Sequence, residues 1–143
     1  MTYVSQVLQE KRNAAIYQIS PDATVLEAIT LMAEKSIGAL VVTDQDQVVG
    51  IFSERDYTRK VALMERTSTD TTVSEIMTSK VITVTSRNTV EECLGLMTER
   101  HLRHLPVVDA NQLVGMISIG DLVKAVMDDQ RKLIDQLQDY IAS

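Results

Sequence analysis

Apolar and polar positions along this chain switch between two rhythms, and the whole order of switches occurs twice. Short β-branched stretches at residues 16–19 and 81–84 predict strands. After the first, Val25, Ala28, Ile29 and Met32 recur at helical spacing, with Asp22 or Thr24 placed to cap the helix. After the second, Val90, Cys93, Leu94 and Met97 do the same. Two apolar runs follow in each half, at 39–43 and 48–52 and then at 105–108 and 113–118. The polar tips at 44–46 and 109–111 predict the turns between them. A second helix is expected to start at Ser53 and at Ser118, each the first residue of a Ser-x-x-Asp. The predicted order is strand, helix, strand, strand, helix, written twice.

The repetition extends to residue identity. Offsetting the chain by 65 residues lays 19–61 on 84–126 without a gap. Roughly a third of those positions are identical, more than chance similarity supplies over that length. GIFSERD from Gly50 returns as GMISIGD from Gly115. A fainter echo precedes each copy: VSQVL from Val4 and VSEIM from Val73, at an offset of 69 because the first copy carries extra residues around 11–14. These observations divide the chain into a first copy at 4–65, a polar linker at 66–72, a second copy at 73–127 and a C-terminal stretch at 128–143. The last holds Leu133, Ile134, Leu137, Tyr140 and Ile141 as one apolar stripe at helical spacing, which can fold back on its own chain or meet a partner.

Composition narrows the function classes. Apolar content of 45 % and charged content of 24 % are those of a globular protein, and no run approaches the roughly 18–20 apolar residues of a membrane span. The N-terminus lacks the apolar run of a secretory signal, and the lone Cys93 has no internal disulfide partner; both lead us to expect a cytoplasmic location. A net charge of −6 and a single Phe with no Trp argue against a nucleic-acid binder. No phosphate loop or dinucleotide fingerprint occurs.

The chemistry sits in the paired Ser-x-x-Asp. Its plain reading is a capping box, which prefers Glu or Gln at the third helical position for their reach; both copies use the shorter Asp, at Asp56 and Asp121. The helix head, with its unpaired N–H groups and the Ser hydroxyl, suits a phosphate, while the carboxylate can accept both hydrogen bonds of a vicinal diol. Phosphate and diol together describe a ribonucleotide.

The repeat, with Gly-apolar-x-Ser-x-x-Asp closing each copy and IGALVV or RHLPVV in the middle, resembles the CBS domain, named after cystathionine β-synthase. Two in tandem look like a Bateman module, and the whole is similar to the two-CBS proteins of bacteria that carry no enzyme or channel. The resemblance implies an α+β fold: two β-α-β-β-α repeats related by a pseudo-twofold axis, each a small three-stranded sheet with two helices, plus a C-terminal helix. It implies adenosine ligands (AMP, ADP, ATP, NAD or S-adenosylmethionine) in two clefts, with the Asp on the ribose diol and the Ser near phosphate. One cleft would pair Ser118 and Asp121 with Ile37 and Gly38; the other would pair Ser53, Arg55 and Asp56 with Leu102, Arg103 and His104, and take the more highly charged phosphate end. Ile51 and Met116 would lie against the bases. The family also pairs into dimeric discs, so a homodimer involving the C-terminal helix is expected.

Other residues read more plainly. His101 and His104, with Cys93 upstream, lack a metal-binding frame, and no metal is expected. Cys93, matched by Ala28, and most of the seven methionines are expected in the core. Arg59, Lys60 and Lys124 are expected on a solvated face. The reading is a regulatory nucleotide-binding protein rather than an enzyme, signalling to an unidentified downstream protein. Its rival is a structural dimerisation adapter with unoccupied clefts; a nucleotide hydrolase lacks the acid cluster it would need.

Overall fold

The computed structural model describes residues 1–11 and 15–142; the insertion expected near 11–14 therefore lies, past Lys11, outside the described residues. Its elements in chain order are α1 (Val4–Glu10), β1 (Gln18–Ile19), α2 (Val25–Lys35), β2 (Ala39–Asp44), β3 (Gln47–Ser53), α3 (Glu54–Asp56), a π-helix (Tyr57–Ala62), α4 (Val73–Ile76), α5 (Val90–Arg100), β4 (His104–Asp109), β5 (Gln112–Ser118) and α6 (Ile119–Ala142). This is a mixed α+β fold, with the two copies built in the same order.

Local chemistry explains the boundaries. Thr24 and Thr89 cap α2 and α5, accepting from the N–H of Glu27 and Glu92 at 3.1 Å each. Both helices stop at a left-handed residue, Ser36 at φ 55° and His101 at φ 56°. Each hairpin turns through two residues with positive φ, Gln45 and Asp46 in one and Ala110 and Asn111 in the other. That is the backbone of a type I′ turn, whose twist matches the strands it joins.

The two copies are not identical. β1 pairs parallel to β2, and β2 antiparallel to β3, with a bulge between Val42 and Thr43. The second copy has only the two-stranded sheet of β4 and β5, so the expected three strands are realised once. The strand expected at 81–84 contracts to a single parallel bridge from Val84 to Val107. After the motif, the first copy turns briefly through α3 and then loosens into the π-helix, whose wider hydrogen bonds include Leu63 N–H to Thr58 O at 3.1 Å. The second copy instead runs without a break into the C-terminal stretch, so α6 is one helix of 24 residues rather than two elements.

Two compact units emerge. One contains Ile16–Ile82 with Ala110–Leu113, and the other Met1–Ala15 with Thr83–Asp109 and Val114–Ser143. We call them the copy-one and copy-two units. The echo segments therefore serve the copies crosswise. In the copy-two unit, α1 is tied to the loop before α5: Val4 N–H donates to Asn88 O, Ser5 N–H to Ser86 O and Val90 N–H to Thr2 O. In the copy-one unit, α4 is tied in the same way to the loop before α2, through Val73 N–H to Ala23 O, Ser74 N–H to Pro21 O and Val25 N–H to Thr71 O. The 66–72 stretch is thus hydrogen-bonded into the copy-one unit rather than a free connection.

Burial follows. Val73 and Ile76 of α4 join Val25, Ala28 and Met32 of α2 and Leu40, Val42 and Phe52 of the sheet in one core. In the copy-two unit Val4, Val7, Val90, Cys93, Met97, Leu105, Ile117 and Leu122 are buried. Of the methionines only Met32 and Met97 are; Met1, Met64 and Met127 are exposed, contrary to the expectation of a mostly buried set.

The motif glycines mark where the crosswise segments seat. A Cβ at Gly50 would lie 2.5 Å from Met77 Sδ and 3.1 Å from the Thr78 carbonyl oxygen. One at Gly115 would lie 2.7 Å from Leu8 Cδ2. Leu8 and Met77 are themselves related by the 69-residue offset. Gly50→Ala must displace the Met77 side chain and press on the Thr78 carbonyl, and we expect it to lower unfolding free energy by about 1–3 kcal/mol in urea denaturation; Gly115→Ala meets the flexible end of Leu8 and is expected to cost about 1 kcal/mol or less.

Candidate functional site

Each Ser-x-x-Asp folds into a capping box, and the shorter Asp does reach back. Ser53 N–H donates to Asp56 Oδ2 at 3.0 Å while Asp56 N–H donates to Ser53 Oγ at 3.2 Å. Ser118 N–H and Asp121 N–H repeat the exchange at 2.9 and 3.2 Å. The plain reading of Ser-x-x-Asp as a capping box therefore holds in both copies, with one Asp oxygen closing each cap.

A second repeated bond fixes each junction to the strand entrance of its own copy. Glu54 N–H donates to Gly38 O at 3.1 Å, and Ile119 N–H donates to Arg103 O at 2.9 Å. These bonds join Gly38 to the Ser53 junction and Arg103 to the Ser118 junction, each within its own copy. Ile51 is bridged to Thr78 by a reciprocal backbone pair, each bond 2.9 Å.

What the remaining carboxylate capacity meets differs between the copies. Asp56, 8 % exposed, also accepts from Ser53 Oγ and, on Oδ1, from Thr78 Oγ1 at 3.2 Å. Lys60 Nζ stands 3.2 Å from the same Oδ1 and donates to Ile76 O at 3.1 Å. Lys60 is thus engaged at the junction rather than simply solvated. Asp121 meets Lys11 instead: Nζ lies 3.0 Å from Oδ2 and donates to Met116 O at 2.8 Å. Sequence reasoning missed Lys11, Lys60 and Thr78. The 69-residue offset holds the signal for the first, since it places Lys80 on Lys11, and the four-residue spacing from Asp56 holds it for Lys60.

The copy-two unit also has a cavity of about 460 Å³ between α1 and α6, with Lys11, Asp121 and Lys124 on its wall. Burial holds the His104 imidazole below its usual range; Asp121 opposes that shift, and Lys11 and Arg103 add to it. Among the described residues no group of three or more His, Cys, Asp or Glu could hold a metal ion, and no helix is long and apolar enough to cross a membrane.

The CBS domain family model matches residues 12–63 and 73–128. The chain belongs to the CBS-domain family, as a tandem pair. It is 38 % identical over 148 residues to the mitochondrial CBS domain-containing protein CBSX3 of Arabidopsis thaliana, covering 98 % of this chain and 72 % of the relative. The structure of a protein with CBS domains from Burkholderia ambifaria is 53 % identical with a TM-score of 0.87, covering 90 % of this chain and 96 % of that one. The CBS domain pair of protein MJ0100, solved in complex with 5′-methylthioadenosine and S-adenosyl-L-methionine, shares the fold at 23 % identity and a TM-score of 0.79, covering 90 % and 98 %.

Two measurements check this electrostatic picture. Burial pushes the Cys93 thiol up to about 11, so native protein is expected to react with a thiol reagent at least about a hundredfold more slowly than protein in urea. The His104 ring is expected to titrate below 6.5 by NMR, and Asp121→Asn to move the midpoint lower still. Because the folded value is depressed, the unfolded chain takes the proton first. Stability from this group is therefore present above pH 6.5 and lost as the pH falls through the window below it.

Proposed function

We propose that this CBS pair is a regulatory module that binds adenosine-type nucleotides (AMP, ADP, ATP or NAD) at its two Ser-x-x-Asp junctions. The observation that carries the reading is the construction of one junction twice, with matching caps and matching strand-entrance bonds. The helices that follow differ completely. Helix capping alone gives no reason for that likeness, whereas a shared ligand chemistry does. In this reading Asp56 and Asp121 accept the ribose diol, Ser53 and Ser118 face phosphate, and Ile51 and Met116 lie against the base. Ile37, Gly38 and Arg55, with Leu102, Arg103 and His104, complete the pockets. The adenosine ligands of the MJ0100 pair support the ligand class. We place the protein in a reducing compartment, the cytoplasm, acting on a further protein rather than on a substrate.

The proposal extends to a homodimer. Leu133, Ile134, Leu137, Tyr140 and Ile141 of α6 are each more than half exposed, and a second copy of the same stripe matches them. Leu137→Glu is expected to convert a dimer to monomer in analytical ultracentrifugation.

One observation favours a structural adapter instead: both oxygens of Asp56 are already engaged within the chain. Mass spectrometry of small molecules released from freshly purified protein separates the two. A bound adenine nucleotide, absent from an Asp56→Ala, Asp121→Ala double variant, is expected. Added AMP at a hundred times its Kd should stabilise the wild type by about 2.7 kcal/mol and leave the double variant unmoved. No release and no stabilisation by any adenine nucleotide would leave the adapter.

A further inference from the structure

Resting on the nucleotide reading above, we infer that Lys11 is the specificity-determining residue of the Asp121 junction, selecting a phosphorylated adenosine ligand over an uncharged or cationic nucleoside. Its ammonium lies 3.0 Å from Asp121 Oδ2 and is anchored on Met116 O at 2.8 Å. Any diol that takes Asp121 competes with this ion pair. A neutral nucleoside that takes Asp121 gains hydrogen bonds to the carboxylate but displaces the Lys11 ammonium and offers it no anion in return, which offsets the gain. A sulfonium nucleoside adds a second cation beside the first. A nucleotide behaves differently: Lys11 has three donors on a flexible stem, so it keeps Met116 O and turns a freed donor to phosphate.

The charges of the cavity wall reinforce this. Two lysines, Lys11 and Lys124, face three carboxylates, Glu10, Asp121 and Asp128. Without Lys11 that wall has one cation against three anions and repels phosphate. Lys11 and Asp121 are about a quarter exposed, so the contribution is screened in part and a preference on the order of tenfold is expected, not a thousandfold. The Asp56 junction supplies an internal comparison. Its ammonium belongs to Lys60, whose place in the second copy is taken by Ala125, so the two sites reach similar neutralisation from different parts of the chain.

Methyl NMR on methionine-labelled protein reads the junctions separately, Met116 reporting on Asp121 and Met77 on the Asp56 side. Titrations use AMP and adenosine on the wild type, Lys11→Gln and Lys11→Arg. At Met116 the wild type should prefer AMP by about tenfold or more, Lys11→Gln should cut that preference to about threefold or less, and Lys11→Arg should restore most of it. The Met77 preference should be the same in all three, which also shows that the variants fold. An unchanged AMP preference at Met116 in Lys11→Gln overturns the role of Lys11 while leaving the nucleotide reading intact. Absence of binding by either ligand to the wild type overturns both.

Discussion

The glycine that opens each motif has no side chain because a side chain from elsewhere already occupies the space. Met77 lies over Gly50 and Leu8 over Gly115, at contact distances a Cβ could not share. Much else depends on that close approach. It seats α4 on β3 in one unit and α1 beside the head of α6 in the other. It also carries along the residues that follow: Thr78 reaches Asp56, and Lys11 reaches Asp121. The segment that completes each core is thus the segment that delivers a polar group to the motif carboxylate. Packing and site chemistry cannot be separated there, because a shift in the apolar seat moves the donor.

From one repeated plan the two copies reach different electrostatic ends. Asp56 is almost closed off, with both oxygens engaged and its ammonium drawn from one helical turn ahead. Asp121 is more open and holds an ammonium from the far end of the chain. The helices diverge in parallel. A π-helix follows Asp56, and an uninterrupted α-helix follows Asp121 and projects its apolar stripe beyond the unit's core. Duplication supplied the same junction twice, and substitutions outside the motif made the two unlike. Lys60 against Ala125 is the clearest of these.

Much of this was legible in the residues. The helices over Val25–Lys35 and Val90–Arg100 follow from apolar spacing and a Thr cap, and the hairpins follow from polar tips between β-branched runs. The burial of Cys93 follows from its match to Ala28. Two of these readings did not transfer. The strand at 81–84 is one bridge, from Val84 to Val107, although its neighbour β4 is as long as the β2 beside which β1 forms. The end of the second copy and the C-terminal stretch are one helix, since no breaker stands between them. The capping-box reading of Ser-x-x-Asp does transfer, Asp reaching back to the Ser N–H in both copies.

What the sequence by itself determined is therefore the repeat, the order of its elements, the caps and turns, and the pair of Ser-x-x-Asp junctions. All of these rest on interactions within about four residues, and periodicity and capping record such interactions directly. Only the tertiary structure decided which echo segment completes which copy and which lysine faces which aspartate. Lys11 and the Met116 carbonyl it bonds are 105 residues apart. No local pattern encodes such a pairing, because it is selected by which apolar seat the folded chain offers, and that seat exists only once the strands and helices around Gly115 have packed.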